Sequence, residues 1–138
     1  MKRYLSWLII LTLAAVLVLA CLPEGVEMHF MAPPEEDVPY YVSFAPYFSL
    51  LPYGYGNFGP LITAVLAAIA FVLSVIRLFC GSRKILSVVF ILSIIAAVVS
   101  VTPMIFGSYT LIGGFITVML AGLVALTGAL LKLTKGGE

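Results

Sequence analysis

Between residues 85 and 131 no charged side chain occurs, and Pro103 and Gly107 within "PMIFGSY" at 103–109 interrupt the apolar pattern. A membrane span takes roughly 20 apolar residues. The run is too long for one span and about right for two joined by a turn, with Pro103 and Gly107 as the residues that break helical backbone. The spacing predicts helices over about 85–104 and 110–131. Residues 4–20 are also uncharged and apolar, at the short limit for crossing roughly 30 Å of hydrocarbon, which predicts a first helix over 4–21. Residues 61–76 carry no charge either. Pro60 suits a helix's first turn, and Arg77 can snorkel towards the headgroups, giving a second helix over 60–80. Only 9% of the residues are charged and 63% are hydrophobic, whereas roughly a quarter of a soluble domain is charged. The expected architecture is an all-α membrane protein. It is a single membrane domain, 1–138, forming a four-transmembrane-helix bundle with a long outer loop, 22–59.

The net charge of +1 argues against nucleic-acid binding and conceals a segregation. Lys2, Arg3, Arg77, Arg83, Lys84, Lys132 and Lys135 all flank apolar stretches, and Glu138 alone among the acids joins them. Glu24, Glu27, Glu35, Glu36 and Asp37 lie together between the first two stretches. Placing the basic ends in the cytoplasm, as the positive-inside tendency requires, puts both termini and "GSRK" at 81–84 inside. Loop 22–59 and the "GSY" turn then face out. The expected location is the bacterial cytoplasmic (plasma) membrane, multi-pass, N-in and C-in.

The outer loop departs most from a plain membrane helix. "VEMHFMAPPEEDVPYYVSF" at 26–44 reads as two β-prone runs around a Pro- and acid-rich turn, which predicts a small β-hairpin with a connection longer than two residues. "APYFSLLPYGYGNFGP" at 45–60 sets aromatic rings among Pro and Gly, a composition suited to the interfacial belt. The stretch "YFSLLPYGYGNFGPLITAVL" at 47–66, followed by apolar helices, resembles a group of small four-span integral membrane proteins of Gram-positive bacteria. The resemblance implies the architecture and carries no activity. A long first outer loop on four spans is shared with claudin-type junction proteins too, but their loop signature of a Trp and paired Cys is absent between residues 22 and 59.

Several chemistries are disfavoured by the residues themselves. Cys21 and Cys80 fall at opposite ends of their helices, roughly 30 Å apart, far beyond the about 7 Å between Cα atoms that a disulfide tolerates. No Cys-x-x-Cys occurs, so thiol oxidation is not expected. An ion-coupled transporter needs an acid, base or strong ligand inside the bundle. Here the polar groups within the spans are hydroxyls: Thr63, Ser74, Ser87, Ser93, Ser100, Thr117 and Thr127. There is no Gln, and Asn57 lies in the loop. His29 with Glu27, Glu35, Glu36 and Asp37 matches no calcium loop and reads as a solvated acidic turn. Neither a nucleophile–base pair, a phosphate loop nor a zinc helix is recognisable. No enzyme activity, cofactor or metal site is expected.

What remains is recognition and packing. A structural, accessory or partner-binding membrane protein would present an aromatic, acidic extracytoplasmic loop, with Tyr40, Phe44, Tyr47, Phe48, Tyr53, Tyr55 and Phe58 as candidate partner residues. Rings give large contact area at small entropic cost, although the same rings would also serve as interfacial anchors. The partners implied are the lipid bilayer and another membrane or envelope protein. The alternative is an oligomeric small channel or transporter for cations or apolar solutes. Small residues permit close helix approach: Gly114, Ala121, Gly122, Ala125, Gly128 and Ala129 in the last helix, and Ser93/Ala97 and Ala96/Ser100 in the third. They suit packing within the bundle or, alternatively, an oligomer.

Finally, Lys2, Arg3, the apolar run and "VLAC" follow the order of a lipoprotein signal, with Cys21 as the candidate lipidation site. Leu19 fits that pattern poorly, and the apolar core exceeds the roughly 7–15 residues of a signal peptide. An uncleaved signal-anchor helix, a lipoprotein acylated at Cys21 with three remaining helices, and ordinary signal cleavage stay as alternatives.

Overall fold

The protein is described by a computed structural model covering residues 1–31, 34, 35, 37, 40–48, 58–105 and 110–136. These residues form α1 (Lys2–Cys21), β1 (Val26–Met31), β2 (Tyr40–Ala45), α2 (Gly59–Cys80), α3 (Arg83–Val99), α4 (Thr102–Ile105) and α5 (Leu111–Lys135). Three of them, α1, α2 and α5, are long and apolar enough to cross a membrane. The chain is therefore a helical, membrane-associated protein.

Local chemistry sets the ends of the helices. Pro23 follows α1 closely and cannot continue it. Pro60 occupies the first turn of α2, where a missing N–H costs nothing. At the other end Gly81 turns left-handed, with φ 62°, and its N–H donates to the Arg77 carbonyl at 2.8 Å. Only a residue without Cβ takes that conformation freely. The chain then reverses within Gly81 and Ser82, so α2 and α3 are antiparallel neighbours.

The third helix is shorter than its apolar pattern predicts. Instead of running over 85–104 it begins at Arg83, ends at Val99 and gives way to the single turn α4. Pro103 has no N–H to return to the Val99 carbonyl, and it disfavours helical backbone at Thr102. The break tightens before Pro103, with the Val101 N–H donating to the Val98 carbonyl three residues back at 3.3 Å. At 1.5 Å per residue, α3 rises about 26 Å.

α1 packs on α2 and α5, and α3 packs on the same two, which closes a four-membered ring. Arg77 near the end of α2 meets Ser6 near the start of α1. Thr117 early in α5 meets the Ser100 carbonyl at the end of α3. Successive long helices therefore run in alternating directions. Most of their buried residues follow one rule: Ile9, Leu13, Val16 and Ala20 on α1, Thr63, Ala67, Ala70 and Ser74 on α2, Leu86, Val89, Ser93 and Ala96 on α3, and Ile116, Leu120, Leu123, Thr127 and Leu130 on α5. The intervals alternate between three and four, the seam of left-handed bundle packing. α2 supplies the small side of this core, with Ala64 beside Ala67 and Ala70, against the leucines of its neighbours. Outside, Leu11, Val18, Val72, Ile91, Val98 and Val118 are exposed. An apolar exterior of this extent marks a surface that meets lipid.

All seven basic residues gather at the end of the ring that holds the start of α1, the α2–α3 turn and the end of α5. The opposite end carries the hairpin. β1 and β2 pair antiparallel from Val26 opposite Ala45 to Met31 opposite Tyr40, and a two-stranded hairpin needs support from elsewhere to be stable.

Candidate functional site

The support comes from Tyr47, the largest fully buried side chain among the described residues. Two residues beyond β2 the chain turns inward, and the Tyr47 N–H donates to the Ala20 carbonyl at the end of α1 at 3.0 Å. The ring lies between two glycines. A Cβ on Gly25 would stand 2.9 Å from Tyr47 Cδ1 and 3.2 Å from the Ala45 carbonyl oxygen, and one on Gly113 would stand 2.9 Å from the Tyr47 hydroxyl oxygen and 3.3 Å from the Gly25 carbonyl oxygen. Both approaches are open only to residues without a side chain.

Thr110 locks the same junction. Its hydroxyl donates to the Gly25 carbonyl at 2.7 Å and accepts from the Gly113 N–H at 3.1 Å, so one oxygen caps α5 and holds the entrance to β1. The first helix, the hairpin and the last helix thus meet at Gly25, Tyr47, Thr110 and Gly113.

Tyr47 is a correction to the expected partner surface: with no exposed area it is an anchor and cannot meet a partner while the hairpin stays docked. Phe44 (51% exposed) and Phe48 (37% exposed) do face outward on either side of it. Phe58 is half-buried just before α2. Tyr40 opens β2 opposite Met31. Tyr53 and Tyr55 lie outside the described residues, as do Glu36, Asn57 and the "GSY" turn. Beside the hairpin, Glu24, Glu27, Phe44, Thr110 and Leu111 border a cleft of about 330 Å³, which combines carboxylates with apolar groups.

The small residues of the last helix also sort differently from their linear spacing. Ala121, Gly122, Ala125 and Ala129 are exposed, and a Cβ on Gly122 would meet nothing within 4 Å. A strict four-residue interval drifts about 40° per step at 100° per residue, away from the alternating seam through Leu120, Leu123 and Thr127. Those four residues therefore make no part of the internal core. Gly114 and Gly128 are half-buried, and a Cβ on Gly128 would stand 3.3 Å from Phe90 on α3. On α3 itself Ser93, Ala96 and Ser100 are buried and Ala97 packs against the core.

Four buried hydroxyls are committed to their own helices. Thr63 donates to the Gly59 carbonyl at 2.8 Å, Ser74 to Ala70 at 2.7 Å, Ser93 to Val89 at 2.7 Å and Thr127 to Leu123 at 2.8 Å. Such back-bonding satisfies a buried hydroxyl without any partner helix. Cys21 and Cys80 are free and exposed at opposite ends of the ring. Among the described residues no group of three His, Cys, Asp or Glu converges as a metal site would require.

At the basic end, Lys2, Arg3, Ser6, Trp7, Arg77 and Phe79 border a cleft of about 460 Å³ between α1 and α2. Arg77 donates from Nη1 to the Ser6 hydroxyl at 2.9 Å. No protein-family model, curated protein or solved structure matches the chain.

Proposed function

We propose that this is a four-span protein of the bacterial plasma membrane, with both termini cytoplasmic, that presents its hairpin to a membrane or envelope partner as an accessory or structural component. The fourth span is α3 continued by α4, and the orientation follows from the collection of every Lys and Arg at one end. The observation that carries the reading is the clamped hairpin. An anchor at Tyr47 holds Phe44 and Phe48 exposed in a fixed frame, so a partner would meet a preorganised surface and spend little binding energy on ordering it. The adjoining cleft, edged by Glu24, Glu27, Phe44 and Leu111, suits a side chain with an apolar stem and a cationic tip.

α1 serves as a permanent helix in this reading. Its inward residues Ile9, Leu13 and Val16 belong to the core, and its Ala20 carbonyl receives Tyr47. Removal of residues 1–20 would take all of these away, which favours the anchor over the lipoprotein. A transport pathway gains no support from the buried hydroxyls of Thr63, Ser74, Ser93 and Thr127, whose hydrogen bonds are made within their own helices.

Co-purification from native membranes tests the reading. Phe44→Ala with Phe48→Ala is expected to release a partner that the wild-type chain retains, and retention of that partner at wild-type yield refutes the hairpin surface. Orientation has its own assay. A membrane-impermeant maleimide on intact cells should label Cys21 and spare Cys80, and the reverse pattern inverts the topology.

A further inference from the structure

The basic cleft between α1 and α2 takes no part in the hairpin surface, yet it has the features of a binding site. Lys2, Arg3 and Arg77 border it, and no acid stands among the described residues around it. Arg77 is half-buried one turn before the end of α2, and the Ser6 hydroxyl that it contacts is neutral and itself donates to the Lys2 carbonyl at 3.0 Å. The Arg77 Nε is buried and has no hydrogen-bond acceptor among the described residues.

A guanidinium withdrawn from water needs a countercharge, since a hydroxyl offsets little of its desolvation. Its planar fork of donors matches the oxygens of a phosphate. The apolar rim identifies where that phosphate comes from. Trp7 (50% exposed) and Phe79 (85% exposed) border the cleft beside the basic groups, the combination that suits headgroup level with acyl chains below it. Basic recesses between helices at this depth suit anionic headgroups.

We propose that this cleft binds the phosphate of an anionic phospholipid, with Arg77 and the Lys2–Arg3 pair on the headgroup and Trp7 and Phe79 along the chains. The site depends on membrane insertion alone and stands whichever way the hairpin faces.

Native mass spectrometry of the full chain from detergent tests it, with phosphatidylglycerol and phosphatidylcholine of the same chain length as probes. Phosphatidylglycerol should be retained about tenfold better, because phosphatidylcholine offers the same phosphate but brings a quaternary ammonium up to the basic groups. Arg77→Gln and the pair Lys2→Gln/Arg3→Gln should each remove that preference. The pair Lys84→Gln/Lys132→Gln, equal in charge lost but outside the cleft, should keep it. The Lys2/Arg3 variant decides the matter if Arg77→Gln does not fold by circular dichroism. Equal retention of both lipids, or an equal loss in the Lys84/Lys132 control, overturns the site. Inorganic phosphate at the lipid's concentration should displace nothing, and displacement by it would reassign the cleft to a free anion.

Discussion

Gly113→Ala probes the junction that carries the hairpin. The added carbon would lie 2.9 Å from the Tyr47 hydroxyl oxygen, 3.3 Å from the Gly25 carbonyl oxygen and 3.4 Å from Thr110 Oγ1. Tyr47 cannot swing aside, because its other edge lies against Gly25 and its backbone is tied to Ala20. Overpacking of this kind costs typically about 1–3 kcal/mol, while alanine within a helix recovers up to about 1 kcal/mol over glycine. The net expectation is a loss of about 1–2 kcal/mol, concentrated on hairpin docking. In hydrogen exchange from detergent micelles or nanodiscs, the amides of β1 and β2 should exchange roughly tenfold faster, since about 1.4 kcal/mol is one decade in an equilibrium constant. Those in the middle of α2 and α3 should keep their rates. Tyr47→Phe removes the oxygen that the new carbon meets, so in that background Gly113→Ala should be neutral or slightly stabilising. A double-mutant cycle measures the difference. The same penalty with and without the hydroxyl, or unchanged hairpin exchange, would refute the clasp.

Other sites read out separate parts of the structure. Thr110→Ala removes both the cap on Gly113 and the bond to Gly25, and should lower the thermal midpoint by an amount equivalent to about 1–2 kcal/mol. Gly81→Ala meets no atom within 4 Å yet must hold φ 62°, so it should cost about 1–2 kcal/mol from backbone conformation alone, and Gly81→Asn should cost less in the same melt. Ala125→Leu lies on the exposed face of α5 and should leave the melting of a single chain within about 0.5 kcal/mol. A larger loss, accompanied by a shift in sedimentation, would show that this face is covered in an oligomer.

Much of the fold is written in charge and apolar length. The positions of Lys2, Arg83 and Lys135 delimit helices that the structure ends within a few residues of the same points, because a charge in hydrocarbon is costly wherever it falls. The hairpin follows from β-prone runs either side of Pro33 and Pro34, and the connection is long, as a Pro-Pro pair requires. Inward and outward faces leave a fainter trace in the residues. When nearly every residue is apolar, hydrophobic periodicity carries no contrast between core and lipid, and size must stand in for it. The alanines of α5 lie at an attractive interval yet face outward, while Ala64, Ala67 and Ala70 on α2 form the buried small face. The alternating intervals of three and four were the available signal. Gly113 was masked by its neighbour Gly114, since only the position of the Tyr47 ring distinguishes them. Tyr47 looked like its aromatic neighbours because nothing in its composition marks one ring of a series as the anchor.

The clasp also bears on the order of assembly. Gly25 and Tyr47 belong to the early part of the chain, whereas Thr110 and Gly113 open the last helix. A ribosome extending at about 5–20 residues per second needs roughly 3–13 s to pass from one to the other. Throughout that interval half of the hairpin's socket is unmade, and the groove above α1 is open on the side that α5 later covers. Complete docking of the hairpin therefore waits for α5, so a chain truncated before Thr110 should hold β1 and β2 without their clasp.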